Sequence, residues 1–338
     1  MTGRWLALGC YTAESEGHGS GISLCSFDDR TGELTLADTL ELASPSWLQW
    51  HPRLPVLYAS NEVADGAVTV VAVRAGRLHQ LGTAATGGAL PCHLVITGDG
   101  RQLYAANYGG GSLAGFALDA VGGLGERTEL IAHHGTGPDP DRQDGPHVHM
   151  IVLDAADELV SAVDLGIDQI RSYRRTSQGL TPAAVTELAP GTGPRQLVRN
   201  RHTGRAYLVA ELAASLLTLD ETSPGSFAVR DSVTASEQPI RNLPAQFSLS
   251  ADGRFGYLSN RYPDSIAVFS LTGDTPVRLA EYPTGPGWPR HFALTGNWLI
   301  AANQHGDQLI VFAVEDGGAR LREVRRYPAG TPTCVALR

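Results

Sequence analysis

Residues 91–97 read Pro-Cys-His-Leu-Val-Ile-Thr, followed by Gly-Asp-Gly-Arg (98–101) and Gln-Leu-Tyr-Ala-Ala-Asn-Tyr (102–108). Two Val/Leu/Tyr-rich runs around an Asp-Gly turn predict a β-hairpin. The glycines 109–111 turn the chain again, Ser112–Leu118 makes a third strand and Glu126–Ala132 a fourth. The same grammar returns at 244–271: Pro-Ala-Gln-Phe-Ser-Leu-Ser, Ala-Asp-Gly-Arg, Phe-Gly-Tyr-Leu-Ser-Asn-Arg, then Ser-Ile-Ala-Val-Phe-Ser-Leu. Working outward, Pro45, Pro91, Pro146, Pro194, Pro244, Pro289 and Pro332 each open such a segment, at steps of 46, 55, 48, 50, 45 and 43 residues. A fixed period of this size marks a repeat architecture.

About seven such units fit into 338 residues. The expectation is an all-β, seven-bladed β-propeller with four antiparallel strands per blade. Arg4–Thr12, Gly21–Phe27 and Leu34–Leu40 resemble strands two to four of a blade that lacks its first strand. Thr331–Arg338 resembles a lone first strand, so the C-terminus is expected to join the N-terminal three strands and close the ring, removing open edges. No linker interrupts the pattern, and residues 1–338 read as one domain.

Composition narrows the chemistry. All 26 cationic residues counted with lysine are arginines, so a Schiff-base or phosphate-loop lysine is excluded. The formal charge of −9, without arginine clusters, argues against nucleic acid. No apolar run is long enough to span a bilayer, the start lacks the pattern of a secretory signal, and the four cysteines have no CxxC spacing. These features predict a cytoplasmic protein with no membrane partner.

In adjacent antiparallel strands, the start of the first lies beside the end of the second. Residues after each blade-opening proline therefore share a face with those ending strand two. The first set includes Cys92, His93, His147, His149, Arg195, Gln196, Arg290 and His291. The second includes Asn61–Glu62, Asn107–Tyr108, Glu211, Asn260–Arg261 and Asn303–Gln304. If strand one lines the central channel, one mouth becomes locally cationic and suits an anionic small molecule. Asn61, Asn107, Asn260 and Asn303 recur in the repeat and read as strand-end structure, whereas Arg195, Arg261 and Glu211 break it and read as a site. His147 and His149, at i and i+2, have a spacing that can hold metal, but without a nearby third His or Cys and with arginines around them no metal is expected. Asp164 and Asp168 read as turn formers, and His51 and His202 as turn residues on the opposite face.

Eleven short motifs in order resemble the seven-bladed lactonases, the family of propeller-type 6-phosphogluconolactonase and carboxymuconate cycloisomerase. They run from Gly9-Cys10-Tyr11-Thr12 through Asn61-Glu62, Pro91-Cys92-His93, Asn107-Tyr108, Pro146-His147-Val148-His149 and Asp164-Leu165-Gly166-Ile167-Asp168. They continue through Gly193-Pro194-Arg195, Glu211-Leu212, Asn260-Arg261 and Pro289-Arg290 to Asn303-Gln304. The resemblance implies a metal-free and cofactor-free site in the central channel, with catalytic His147, Arg195, Glu211 and Arg261. Two residues depart from the family pattern: Gln196 stands where a His is common, and Cys10 where Thr is frequent.

The expected reaction is hydrolysis of a small anionic sugar-acid lactone. His147 acts as general base, Glu211 orients it, and Arg195 and Arg261 hold the anion and the developing oxyanion. His93, His149, Gln196, Arg290, His291 and Gln304 are candidate substrate-binding groups. The same parts suit a lactonising cycloisomerase or cyclase acting on an unsaturated carboxylic acid. A non-catalytic binding scaffold is the rival from another class, and it predicts a large exposed apolar patch.

Overall fold

The computed structural model describes residues 3–338. Twenty-eight strands form seven four-stranded antiparallel sheets arranged as a ring, and the helical content among the described residues is two three-residue turns. The blade quoted first consists of β8 (Pro91–Ile96), β9 (Gln102–Asn107), β10 (Ser112–Leu118) and β11 (Leu124–Ala132). Five further blades follow the same order, β4–β7 (45–85), β12–β15 (148–187), β16–β19 (194–234), β20–β23 (243–283) and β24–β27 (289–328), with first strands β4 (Pro45–Trp50), β12 (Val148–Leu153), β16 (Pro194–Arg199), β20 (Leu243–Leu249) and β24 (Pro289–Thr295). The closing blade consists of β28 (Pro332–Leu337), β1 (Gly3–Cys10), β2 (Ile22–Asp28) and β3 (Glu33–Leu40) in that order, with β28 paired to β1.

Why the blades stack follows from the faces they present. The second strands are largely buried, and β5 (Val56–Asn61) and β13 (Leu159–Asp164) are buried along their whole length. One apolar cluster fills each of the seven blade–blade interfaces, the last joining Leu6, Leu8 and Phe27 to Ile300, Leu309 and Val311. Buried tyrosines tie neighbours together through their hydroxyls: Tyr58 donates to the Gly122 carbonyl and Tyr257 to that of Gly318, each at 2.7 Å. The first strands contact one another in a closed cycle, β28–β4–β8–β12–β16–β20–β24, and so surround the axis.

Each first strand carries the same irregularity. The register slips between Pro45 and Trp47, Pro91 and His93, Val148 and Met150, Pro194 and Gln196, and Pro289 and His291. A comparable slip lies between Pro244 and Phe247, and another where β28 meets β1. A bulge re-aims a side chain that strict alternation would turn away. It therefore lets two successive residues face the axis in six of the first strands, whereas in β28 Thr333 does so and Cys334 packs between blades.

One unit departs from the proline spacing. Val148, not Pro146, lies opposite Asp164, the place that Pro91 holds opposite Asn107. The Gly/Pro/Asp-rich loop 135–145 lengthens this unit, and the strand β12 (Val148–Leu153) begins two residues beyond the proline.

Candidate functional site

The bulges arrange the axial side chains in rings. The bulge position supplies Ser46, Cys92, His149, Arg195, Ala245, Arg290 and Thr333; the next position supplies Trp47, His93, Met150, Gln196, Gln246 and His291. These residues enclose a small inner chamber of about 20 Å³. Toward the mouth stands a third ring from the ends of the second strands, including Glu62, Tyr108, Glu211 and Arg261. With Cys92, His149, Arg195, Arg290 and Arg142 these line an outer cavity of about 180 Å³.

Glu211 organises the outer cavity. Its Oε1 accepts from Arg142 Nη2 at 2.6 Å, and its Oε2 lies 2.6 Å from Arg261 Nη2 and 3.5 Å from Arg195 Nε. Burial alone pushes the Glu211 carboxyl up, but Arg261, Arg195 and Arg142 outweigh it and hold the group well below the usual carboxylate range. Arg195 is pressed down to about 9 by burial and by Arg261, and remains cationic at neutral pH. Arg195 Nε donates to the Ala245 carbonyl (3.2 Å), and Arg261 Nε to that of Leu243 (2.7 Å). Backbone anchors of this kind fix each guanidinium fork before any ligand arrives. Across the cavity, Arg290 lies 3.5 Å from Glu62 Oε2 and over the ring of Tyr11, whose hydroxyl donates to Glu62 Oε1 at 2.7 Å.

The expected catalytic residues divide between two places. Arg195, Glu211 and Arg261 converge in the outer cavity, whereas His147 stands one step back from it. Its unit position is that of Ser44, Leu90, Gly193, Trp288 and Thr331, each of whose carbonyls receives the amide that follows strand two, as the His147 carbonyl receives that of Leu165. The imidazole stacks on Tyr108, with centroids 4.5 Å apart. Its Nδ1 donates to the Tyr108 carbonyl (3.0 Å), and its Nε2 lies 3.1 Å from Asp144 Oδ1. Glu211 therefore does not orient His147: its oxygens are occupied by three arginines, and the carboxylate beside His147 is Asp144.

The expected binding residues are also sorted by depth. His149 and Arg290 line the outer cavity; His149 is in contact with Arg195, and burial followed by Arg195 holds its pKa well below 6.5. His93, Gln196 and His291 belong to the inner chamber. Gln304 lines neither space and bonds instead to the ring of His305 at 3.0 Å. The departure at Gln196 has a structural account. Its Oε1 accepts the Phe247 amide at 2.5 Å, as the Nδ1 atoms of His93 and His291 accept the amides of Ile151 and Val335. Cys10 bonds to Gly21 through its Sγ.

Arg142 was not anticipated. It enters from the loop 135–145, where its own amide donates to Asp139 Oδ1 and the fully buried Gln143 anchors the loop by donating to the Leu165 carbonyl. The only signal for it was the length of that unit. Asp164 also does more than shape a turn: its Oδ1 accepts the His147 amide and its Oδ2 pairs with the buried His133 at 2.6 Å. Among the described residues no three His, Cys, Asp or Glu side chains are grouped to hold a metal ion. The exposed large apolar residues are spread over the outermost strands of different blades, such as Leu36, Leu81, Leu130, Val185, Val229 and Val277, which is not the single patch a docking scaffold needs.

The fold is thus a seven-bladed propeller whose axial mouth holds four arginines around two glutamates. The family described as Lactonase, 7-bladed beta-propeller matches residues 5–337, and the chain belongs to it. The 6-phosphogluconolactonase of Bacillus subtilis (strain 168) is 30% identical over 334 residues, covering 93% of this chain and 92% of that protein. The 6-phosphogluconolactonase of Formosa agariphila is 27% identical, covering 87% of this chain and 88% of its own. Among solved structures, the periplasmic gluconolactonase of Pseudomonas aeruginosa superposes with a TM-score of 0.92 at 26% identity, covering 99% of each chain.

Proposed function

We propose that this protein hydrolyses a small sugar-acid lactone carrying a phosphate or carboxylate, in the manner of a 6-phosphogluconolactonase. The observation that carries the reading is the charge balance of the outer cavity. Four guanidinium groups, Arg142, Arg195, Arg261 and Arg290, face two carboxylates, Glu62 and Glu211, leaving a formal excess of two positive charges. That excess matches a dianion, and planar forks anchored by backbone carbonyls match its oxygens. In this reading Arg195 and Arg261 stabilise the oxyanion as water attacks the ring carbonyl, an effect worth about 3 kcal/mol per donor. His147 takes the proton of that water at Nε2, because Nδ1 keeps its own on the Tyr108 carbonyl. Asp144, on a largely exposed side chain, yields this nitrogen to water and steadies the imidazolium that forms.

The reaction needs no metal in this scheme, since both cavity carboxylates are matched by arginines. Four free cysteines suit a reducing compartment and keep the cytoplasm as the expected location. The test is a panel of phosphorylated, carboxylated and neutral sugar lactones, before and after exhaustive chelation. Anionic lactones should exceed neutral ones by roughly 100-fold in kcat/KM, the size of two or so charge-assisted hydrogen bonds, with no effect of chelation. Equal rates on neutral lactones would sink the substrate class. Full turnover in both His147→Ala and Arg195→Ala would sink the residue assignment.

A further inference from the structure

Below the arginines, the inner chamber gathers several donors on its wall. The Nδ1 atoms of His93 and His291 accept backbone amides at 3.4 and 3.2 Å, which leaves each ring proton on Nε2. Gln196 uses its carboxamide oxygen on the Phe247 amide, so what it has left to offer is the NH2 group. Trp47, packed against both His93 and His291, has a buried Nε1–H with no partner, and the buried Thr333 hydroxyl has none either. Arg195 and Arg290 line this chamber as well as the outer cavity, and no carboxylate lines it.

We propose that this chamber is a binding site for one halide-sized monovalent anion, held by the ring N–H groups of Trp47, His93 and His291 and the amide of Gln196. The volume of about 20 Å³ suits a single sphere near the size of water. Water needs acceptors for its own protons, and this lining supplies chiefly donors, whereas an anion needs donors alone. The charge environment agrees. Burial, then His291 and Arg195, holds His93 down to about 3; burial, then Arg195 and Arg290, does the same to His291. Both imidazoles are thus neutral donors in a positive field, an arrangement that favours a negative guest over a cation.

The experiment is anomalous diffraction from crystals of the full chain in bromide, with thermal unfolding in bromide titrated against acetate at constant ionic strength. A bromide peak in the chamber and a saturable rise of roughly 2 °C or more in midpoint are expected. Gln196→Glu keeps an acceptor for the Phe247 amide but replaces the donor with a carboxylate oxygen, and should abolish both signals. Trp47→Phe keeps the ring contact and should weaken bromide at least 5-fold. A water at this place in the wild type overturns the proposal, and so does bromide density with no saturable shift, which marks an adventitious ion only. Signals unchanged in both variants also overturn it. No turnover is measured, so the outcome is independent of the lactonase reading.

Discussion

Glu211, itself almost fully buried, holds three guanidinium groups together. Removing one partner of a buried ionic set leaves the others uncompensated, which costs about 3–5 kcal/mol. Glu211→Gln is therefore expected to lose stability as well as turnover, whereas His147→Ala, which removes a ring stacked on Tyr108 and no member of the buried ionic set, is expected to lose turnover alone. The pH dependence gives the sign. The Glu211 carboxyl is held well below its ordinary 4.5, so its stabilisation is fully present above about pH 4.5 and disappears as pH falls through the depressed folded value. Urea denaturation should show a gap between wild type and Glu211→Gln that is constant at neutral pH and narrows in strong acid. A variant as stable as wild type at pH 7 would show that the arginines do not depend on this carboxylate. The asparagines behave otherwise: Asn61, Asn260 and Asn303 donate to the carbonyls of Ala43, Ala235 and Thr284, work that repeats from blade to blade and belongs to the fold.

The element that matters most is the bulged first strand. In a regular strand His93 and Cys92 would face opposite sides, yet both line the axis. Placing His93 and His291 there has a cost in acid. Each is held neutral to about pH 3, while the unfolded chain protonates it near 6.5. Between those values the unfolded state binds the extra proton, so stability is complete above about pH 6.5 and erodes as pH falls, by roughly 1.4 kcal/mol per unit for each ring. His291→Gln retains an acceptor for the Val335 amide, as Gln196 does in its own blade. Its stability should fall about 2 kcal/mol less than wild type between pH 6.5 and 5. Equal losses in urea titrations at the two pH values would remove His291 from the acid response. The strands themselves were legible in the sequence, because Asp-Gly turns and the recurring prolines mark their limits. The bulge was not: it is a register property set by pairing, and residues 91–96 alone do not reveal it. For the same reason Pro146 misleads by two residues, and Arg142, arriving from an irregular loop, shows in the sequence only as extra length.

At the scale of the whole ring, the last strand joins three neighbours at once. β28 pairs with β1, and it lies against β4 on one side and β24 on the other. Its contacts are specific: Trp50 Nε1 donates to the Ala336 carbonyl, the Leu48 amide points at Cys334 Sγ, and the Val335 amide is the one that His291 accepts. Val335 and Cys334 belong to the apolar clusters on both flanks of the closing blade. Without residues 331–338, β1 would present an unpaired edge to solvent, both flanking clusters would be opened, and Thr333 would leave the axis. An exposed edge of this kind templates association between chains. A chain ending at Gly330 should therefore not behave as a slightly weakened enzyme; it should aggregate or unfold, because one missing strand opens a closed cycle of seven interfaces. Size-exclusion chromatography and near-ultraviolet circular dichroism check this directly. Adding the peptide 331–338 back in trans should recover the elution volume of the full chain in proportion to its occupancy, since that segment supplies the missing first strand. A truncated chain that elutes as the full chain does, with a native near-ultraviolet spectrum, would mean that the blades hold the ring without its closing strand.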